Sequence, residues 1–207
     1  MRNAKIEQFQ EQVKFEAAAI LCELPPELTT GYRTIFLLER HKDGSSNKEE
    51  RRNFNFSVVT NSEELGKKLM EFLWLRLLHD EKELRIYLSV NERNPKRAVR
   101  NVAQAIIDGL YADDLNRSLI ERKIVKGSRS YIMNPNTRAS SFFLLDVDNE
   151  PGKDIMGETL QEMARLGVVE VYRRTTRNGW HVIVEPFNLA MWTGKAEVKK
   201  DGLLLLK

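Results

Sequence analysis

The chain has 207 residues, of which 42 % are hydrophobic and 30 % charged, and its formal net charge is +3. That apolar content and small net charge exclude a disordered chain, and the length suits one domain, or one core with a lobe attached. A single cysteine, Cys22, excludes a disulfide framework and a Cys-based zinc site, no apolar run approaches the ~18 residues of a membrane span, and no signal-peptide pattern follows Met1, so a cytoplasmic setting is expected.

Apolar residues at Ile6, Phe9, Val13, Ala17, Ile20 and Leu21 form a helical stripe over 6–21, which Pro25 and Pro26 stop. Residues 32–39 and 54–60 read as strands, joined by a polar stretch over 41–53 with the character of a hairpin loop. Ser62, followed by Glu63 and Glu64, marks the start of a helix that runs to about His79. A strand follows over 84–90. Asn94 then caps a helix with Pro95 at its first position, and Ala98, Val99, Val102, Ala105, Ile106 and Leu110 are its expected inward residues. A further helix is expected over 115–125.

The later part of the chain predicts a strand over 140–147, a helix over 154–166 closed by Gly167, and strands over 168–173 and 180–185. A last strand, 198–206, is interrupted at Asp201-Gly202, a pair that favours a hairpin turn. The expected fold class is α+β: an RRM-like antiparallel or mixed sheet (131–207) with helices on one face, preceded by a smaller N-terminal α/β lobe (1–130).

Asp146 and Asp148 end a very apolar strand, and side chains two apart share a strand face. Two carboxylates so placed repel unless a cation lies between them, and Mg²⁺ or Mn²⁺ prefers such oxygen ligands. The alternative is an acidic strand end before the turn at Asn149-Glu150-Pro151-Gly152. His181 follows a tight turn, Thr176-Arg177-Asn178-Gly179, in a stretch made basic by Arg173, Arg174 and Arg177. It is either a phosphate contact or a structural histidine. Asp201 is a third acidic candidate inside an otherwise apolar strand.

The order of these features resembles the catalytic core of the archaeo-eukaryotic primase (primase-polymerase) superfamily. Leu144-Leu145-Asp146-Val147-Asp148 matches the first motif, Gly179-Trp180-His181 aligns with the Ser-x-His motif, and Val198-Lys199-Lys200-Asp201 matches the third. The resemblance implies a nucleotidyltransferase that makes or extends strands on a single-stranded template. Asp146, Asp148 and Asp201 would hold two Mg²⁺ or Mn²⁺ ions, and His181, with Arg174, Arg177 and Asn178, would grip the phosphates of a nucleoside triphosphate. It also implies the RRM-like sheet. A helicase or other replication partner is conceivable with such an enzyme. The departure is Gly179, which stands where the family has serine.

Two basic stretches stand apart from these motifs. Arg93, Lys96, Arg97 and Arg100 surround the start of the helix at Pro95, where free N–H groups favour anions, so they are candidates for nucleic-acid phosphate contact or a solvated face. Residues 122–129 are similarly basic, whereas 48–52 mixes both signs. Trp74 and Trp180 are expected to pack rather than to stack on bases. Two other functions stay open: a catalytically idle nucleic-acid-binding module on the same sheet, and a two-metal nuclease.

Overall fold

The structure is a computed structural model, and it describes residues 2–39, 53–111 and 130–207. Residues 41–52 of the expected loop over 41–53, the helix over 115–125 and the basic stretch over 122–129 lie outside the described residues, and Asn53 begins a strand. The chain divides into two compact units, Met1–Val90 with Ser141–Lys207, and Asn91–Ser140. This division differs from the border at residue 130 that the sequence suggested.

The larger unit is a mixed α+β structure with two four-stranded antiparallel sheets. Helix α1 (Arg2–Glu23) is followed by a single turn, α2 (Pro26–Thr29). Then come β1 (Arg33–Glu39), β2 (Asn53–Val59), α3 (Ser62–Leu78) and β3 (Leu84–Ser89). After the second unit, which carries α4 (Pro95–Tyr111), the chain returns as β4 (Phe143–Asp148), and α5 (Ile155–Leu166) follows. Strands β5 (Glu170–Thr175), β6 (Gly179–Val184), β7 (Glu197–Lys199) and β8 (Leu203–Leu205) complete the unit. The first sheet has the order β2-β1-β3-β8 and the second β5-β6-β4-β7.

The helix ends follow from the sequence, with one shift. The cap of α3 is Asn61, not Ser62: its Oδ1 accepts the Glu64 N–H at 2.9 Å. At α5 the Asp154 carboxylate accepts from Gly157 N–H, and Gly167, at φ 64°, closes the helix in the left-handed conformation that glycine adopts without a Cβ penalty. On α1, Val13, Ala17 and Ile20 are buried as the stripe requires, but Phe9 is exposed.

Alternation along β4 places its residues in two cores. Leu144 joins Ile183, Leu204 and Leu206 in a core with α1, α3, β1 and β3, where Ile35, Leu37, Leu69, Phe72, Ile86 and Leu88 are buried. Phe143, Leu145 and Val147 face the other way and pack with Val182, Val184, Ile155 and Met163. A strand covered on both faces accounts for the uninterrupted apolar run before Asp146. Trp74 packs against the first core and Trp180 against the second, as expected. Arg33 is a buried cation that the sequence did not announce. Its guanidinium donates to the carbonyls of Glu27, Thr30, Ser89 and Val90, and so joins the end of α2 to the end of β3.

The last strand is not one interrupted strand. β7 belongs to the second sheet, β8 belongs to the first, and the chain changes sheets at Asp201-Gly202. The expected hairpin turn is therefore a crossover. A Cβ on Gly202 would lie 2.6 Å from the Leu144 side chain, so the crossing needs glycine for its close approach.

In the second unit, α4 (Pro95–Tyr111) starts where the sequence placed it, with the Asn94 side chain accepting the Arg97 N–H at 3.1 Å. Val99 is 67 % exposed rather than inward-facing, while Ala98 is buried. Among the described residues, no helix is long and apolar enough to cross a membrane.

Candidate functional site

The antiparallel registers of the second sheet set four residues in one transverse row. Arg174 on β5 lies opposite His181 on β6, His181 opposite Asp146 on β4, and Asp146 opposite Glu197 on β7. Directly opposed residues share a face. Asp148 lies on that face two residues beyond Asp146, and Lys199 two beyond Glu197. The row therefore carries ionisable groups on four adjacent strands, beside the core residues Leu144 and Ile183.

His181 is 8 % exposed. Its Nδ1 accepts the backbone N–H of Leu205 at 3.2 Å, which ties the second sheet to β8 of the first. A ring nitrogen that accepts carries no proton, so the proton of the neutral ring resides on Nε2. Nε2 lies 3.5 Å from Asp146 Oδ1. The other Asp146 oxygen accepts from Lys199 Nζ at 2.5 Å, and the same ammonium lies 3.1 Å from Glu197 Oε2. These neighbours hold the Asp146 carboxyl well below the usual carboxylate range, at about 2: the His181 imidazole lowers it, burial acts in the opposite direction, and Lys199 lowers it further. Lys199 is itself raised; burial opposes this, and the Asp146 and Glu197 carboxylates outweigh it.

His181 thus lies against Asp146, with Asp148 two residues on along the same face, and Asp201 lies in the turn between β7 and β8. The register places Lys199 opposite Leu144, and the chain turns at Lys200-Asp201 beyond that point. Among the described residues, no three His, Cys, Asp or Glu side chains converge as a metal site requires. The donor set expected for a metal pair therefore does not fit as arranged. An ammonium already neutralises Asp146, and the acidic residue opposite it is Glu197.

Gly179 has a structural cause. A Cβ there would lie 1.8 Å from the Val147 carbonyl oxygen. No serine fits at this position while β4 and β6 keep their register. The neighbouring turn is closed by Thr176 N–H donating to the Gly179 carbonyl at 2.8 Å, and the Asn178 carbonyl accepts from Asn149 N–H at 2.7 Å.

The two arginines of the hairpin differ. Arg174 donates to Glu23 at 2.5 Å and to the Leu206 carbonyl at 3.0 Å, and its side chain is mostly buried. Arg177 and Asn178 are exposed at the hairpin tip. Arg174 and Arg177 both border an open cleft of about 960 Å³, together with Arg76, Lys82, Arg85 and Lys207. Glu39, Asp80, Glu81 and Glu83 line it too, so the basic majority is small. Leu205, whose N–H binds His181, forms part of its wall.

In the second unit, Lys96, Arg97 and Arg100 are exposed at the start of α4, and Arg97 donates to the Asn136 carbonyl at 3.1 Å. Arg93 is 2 % exposed, so it does not present its guanidinium to a surface phosphate as the sequence suggested. Its backbone forms a bridge with Arg138.

Sequence reasoning missed Glu197 and Lys199. Their spacing around Val198 is the period of a strand with one polar face, and it was available as a signal. Their meeting with Asp146 depends on a register between strands some fifty residues apart.

Comparison with family models, with curated proteins and with solved structures finds no match for this chain.

Proposed function

We propose that this chain is a nucleotidyltransferase of the primase-polymerase type, which makes or extends a nucleic-acid strand on a single-stranded template. The observation that carries the reading is the transverse row: His181 lies against Asp146, with Asp148 on the same face. In chain order these residues are the acidic and histidine motifs on which the resemblance rests. The order β5-β6-β4-β7 with α5 against one face supports an RRM-like reading of the second sheet. The basic side chains of the adjoining cleft, Arg177 foremost, supply phosphate contacts. A cytoplasmic setting and a helicase partner belong to the same reading.

Among the described residues, no group of carboxylates converges on a metal pair. What the chain's own residues supply is charge and orientation. Leu205 fixes the His181 tautomer, and His181 directs its Nε2 proton at Asp146. Arg174 braces the hairpin, so that Arg177 projects from an anchored turn.

A second reading, a nucleic-acid-binding module without turnover, is favoured by the Lys199–Asp146 ion pair, which occupies the first motif's carboxylate. One assay separates the two. The full chain is incubated with single-stranded DNA, labelled nucleotides and Mn²⁺. Strand synthesis or extension that is lost in Asp146→Ala supports nucleotidyl transfer. Binding without turnover supports the module, and a shortened template supports a nuclease.

A further inference from the structure

We infer that the face of the first sheet turned away from α1 and α3 is a stacking surface for a single-stranded nucleic acid, with bases on Tyr87 and Phe56 and phosphates in the adjoining cleft. The inference takes its ligand from the proposed function, but it assigns where that strand lies and does not depend on turnover.

Ile35, Leu37, Ile86 and Leu88 belong to the core with α1 and α3, so Phe36 and Tyr87, which alternate with them, lie on the opposite face. There the registers set Phe56 on β2, Phe36 on β1, Tyr87 on β3 and Leu205 on β8 in one transverse row. Phe36 is fully buried and stacks with Phe56, ring centroids 6.3 Å apart, so it backs the row rather than meeting a ligand. Phe56, Tyr87 and Leu205 keep part of their surface accessible. A ring on a sheet face offers any unstacked base a flat apolar partner. The row also leads into the cleft: Leu205 lines it, and so does Arg85, two residues from Tyr87 on the same face. No described residue lining the cleft is aromatic, so stacking has to come from the row. The cations of the cleft differ in availability. Arg85, Arg174 and Lys207 are paired with Glu83, Glu23 and Glu16, whereas Arg76 and Arg177 have no ion pair or hydrogen bond among the described residues. Accessible rings beside unpaired guanidinium groups supply the two components of single-strand binding, stacking for the bases and charge for the backbone. A duplex, whose bases are already stacked on one another, has no use for the rings.

The test is fluorescence anisotropy of a labelled oligothymidylate with the full chain, without nucleotides or metal, across a salt series, with circular dichroism to confirm the fold. Tyr87→Leu and Phe56→Leu should each weaken binding at least ~5-fold and leave the salt slope unchanged. Tyr87→Phe, which keeps the ring, should bind as wild type does, and Arg76→Ala should lower the slope by about one. Unlabelled duplex should compete poorly. If the leucine variants do not fold, photocrosslinking of a 5-iodouracil-substituted strand to the wild-type chain should place adducts on Tyr87 or Phe56. The inference is overturned if folded leucine variants bind as tightly as wild type, if Arg76→Ala leaves the slope unchanged, if duplex competes as well as single strand, or if crosslinks lie only elsewhere. It is also overturned if the face proves to be a contact between copies of this chain, with sedimentation showing a self-association that Tyr87→Leu abolishes and no strand binding. Strand extension together with ring-independent binding removes this inference and leaves the proposed function, whereas ring-dependent binding without extension does the reverse.

Discussion

At the scale of single residues, Gly179 decides how the family pattern is to be read. Its missing side chain is a packing requirement imposed by the Val147 carbonyl, so the lost serine hydroxyl is a consequence of strand proximity. Gly179→Ser is expected to part β4 from β6 and to cost about 3 kcal/mol, seen as a lower urea midpoint. Asp146 carries a part of the pH dependence. Its folded-state value, about 2, lies below the ordinary value of 3.8, so its contribution is fully present above pH 4 and is lost as pH falls through 2. Lys199 and His181 lie against it, and Glu197 is opposite on the neighbouring strand. Denaturation by urea between pH 5 and 2 should show a loss on the order of 1 kcal/mol, solvent screening included, that Asp146→Asn flattens. A wild-type curve with no such loss would contradict the ion-pair network.

At the scale of elements, legibility was uneven for physical reasons. Strand β1, strand β3 and helix α5 were legible because period, cap and stop signals are local: Asp154 and Gly167 mark both ends of α5 without reference to the rest of the chain. The exchange of sheets at Asp201-Gly202 was not legible, because an Asp-Gly pair looks the same in a hairpin and in a crossover. Only the packing of Gly202 against Leu144 distinguishes them. Gly202→Ala should cost about 1–3 kcal/mol in thermal unfolding, whereas a glycine in a solvent-facing hairpin would tolerate the change. Val99 was misplaced for a similar reason: a broad apolar stripe on α4 does not reveal which edge meets neighbours. In the candidate site, Asp146, Asp148 and His181 were legible as motif residues. Lys199 and Glu197 were not, since a cross-strand register is a property of the assembled sheet.

At the scale of the whole molecule, the net charge of +3 comes from a local mixture of both signs. Asp146 and Glu197 share Lys199 on the row, and six basic side chains line the cleft against four acidic ones. Arg174 and Arg177 offer the cleanest test of what those cations do. Arg174→Ala should lower stability by about 1 kcal/mol, because it loses Glu23 and the Leu206 carbonyl. Arg177→Ala should leave the melting temperature unchanged and reduce the salt slope of single-stranded DNA binding by about one. An unchanged slope would remove the hairpin tip from the binding surface.

The crossover into β8 also bears on how the chain matures on the ribosome. Tyr87, Leu88 and Ser89 of β3 pair with residues more than a hundred positions later, and every other described strand is synthesised before β8. Pairing across so long a loop is slow. The Leu205 N–H that fixes the His181 proton arrives with this strand. The orientation of the candidate site is therefore completed in the same step that closes the edge of the first sheet, and a nascent chain lacking β8 would carry the motif residues without the hydrogen bond that sets their proton.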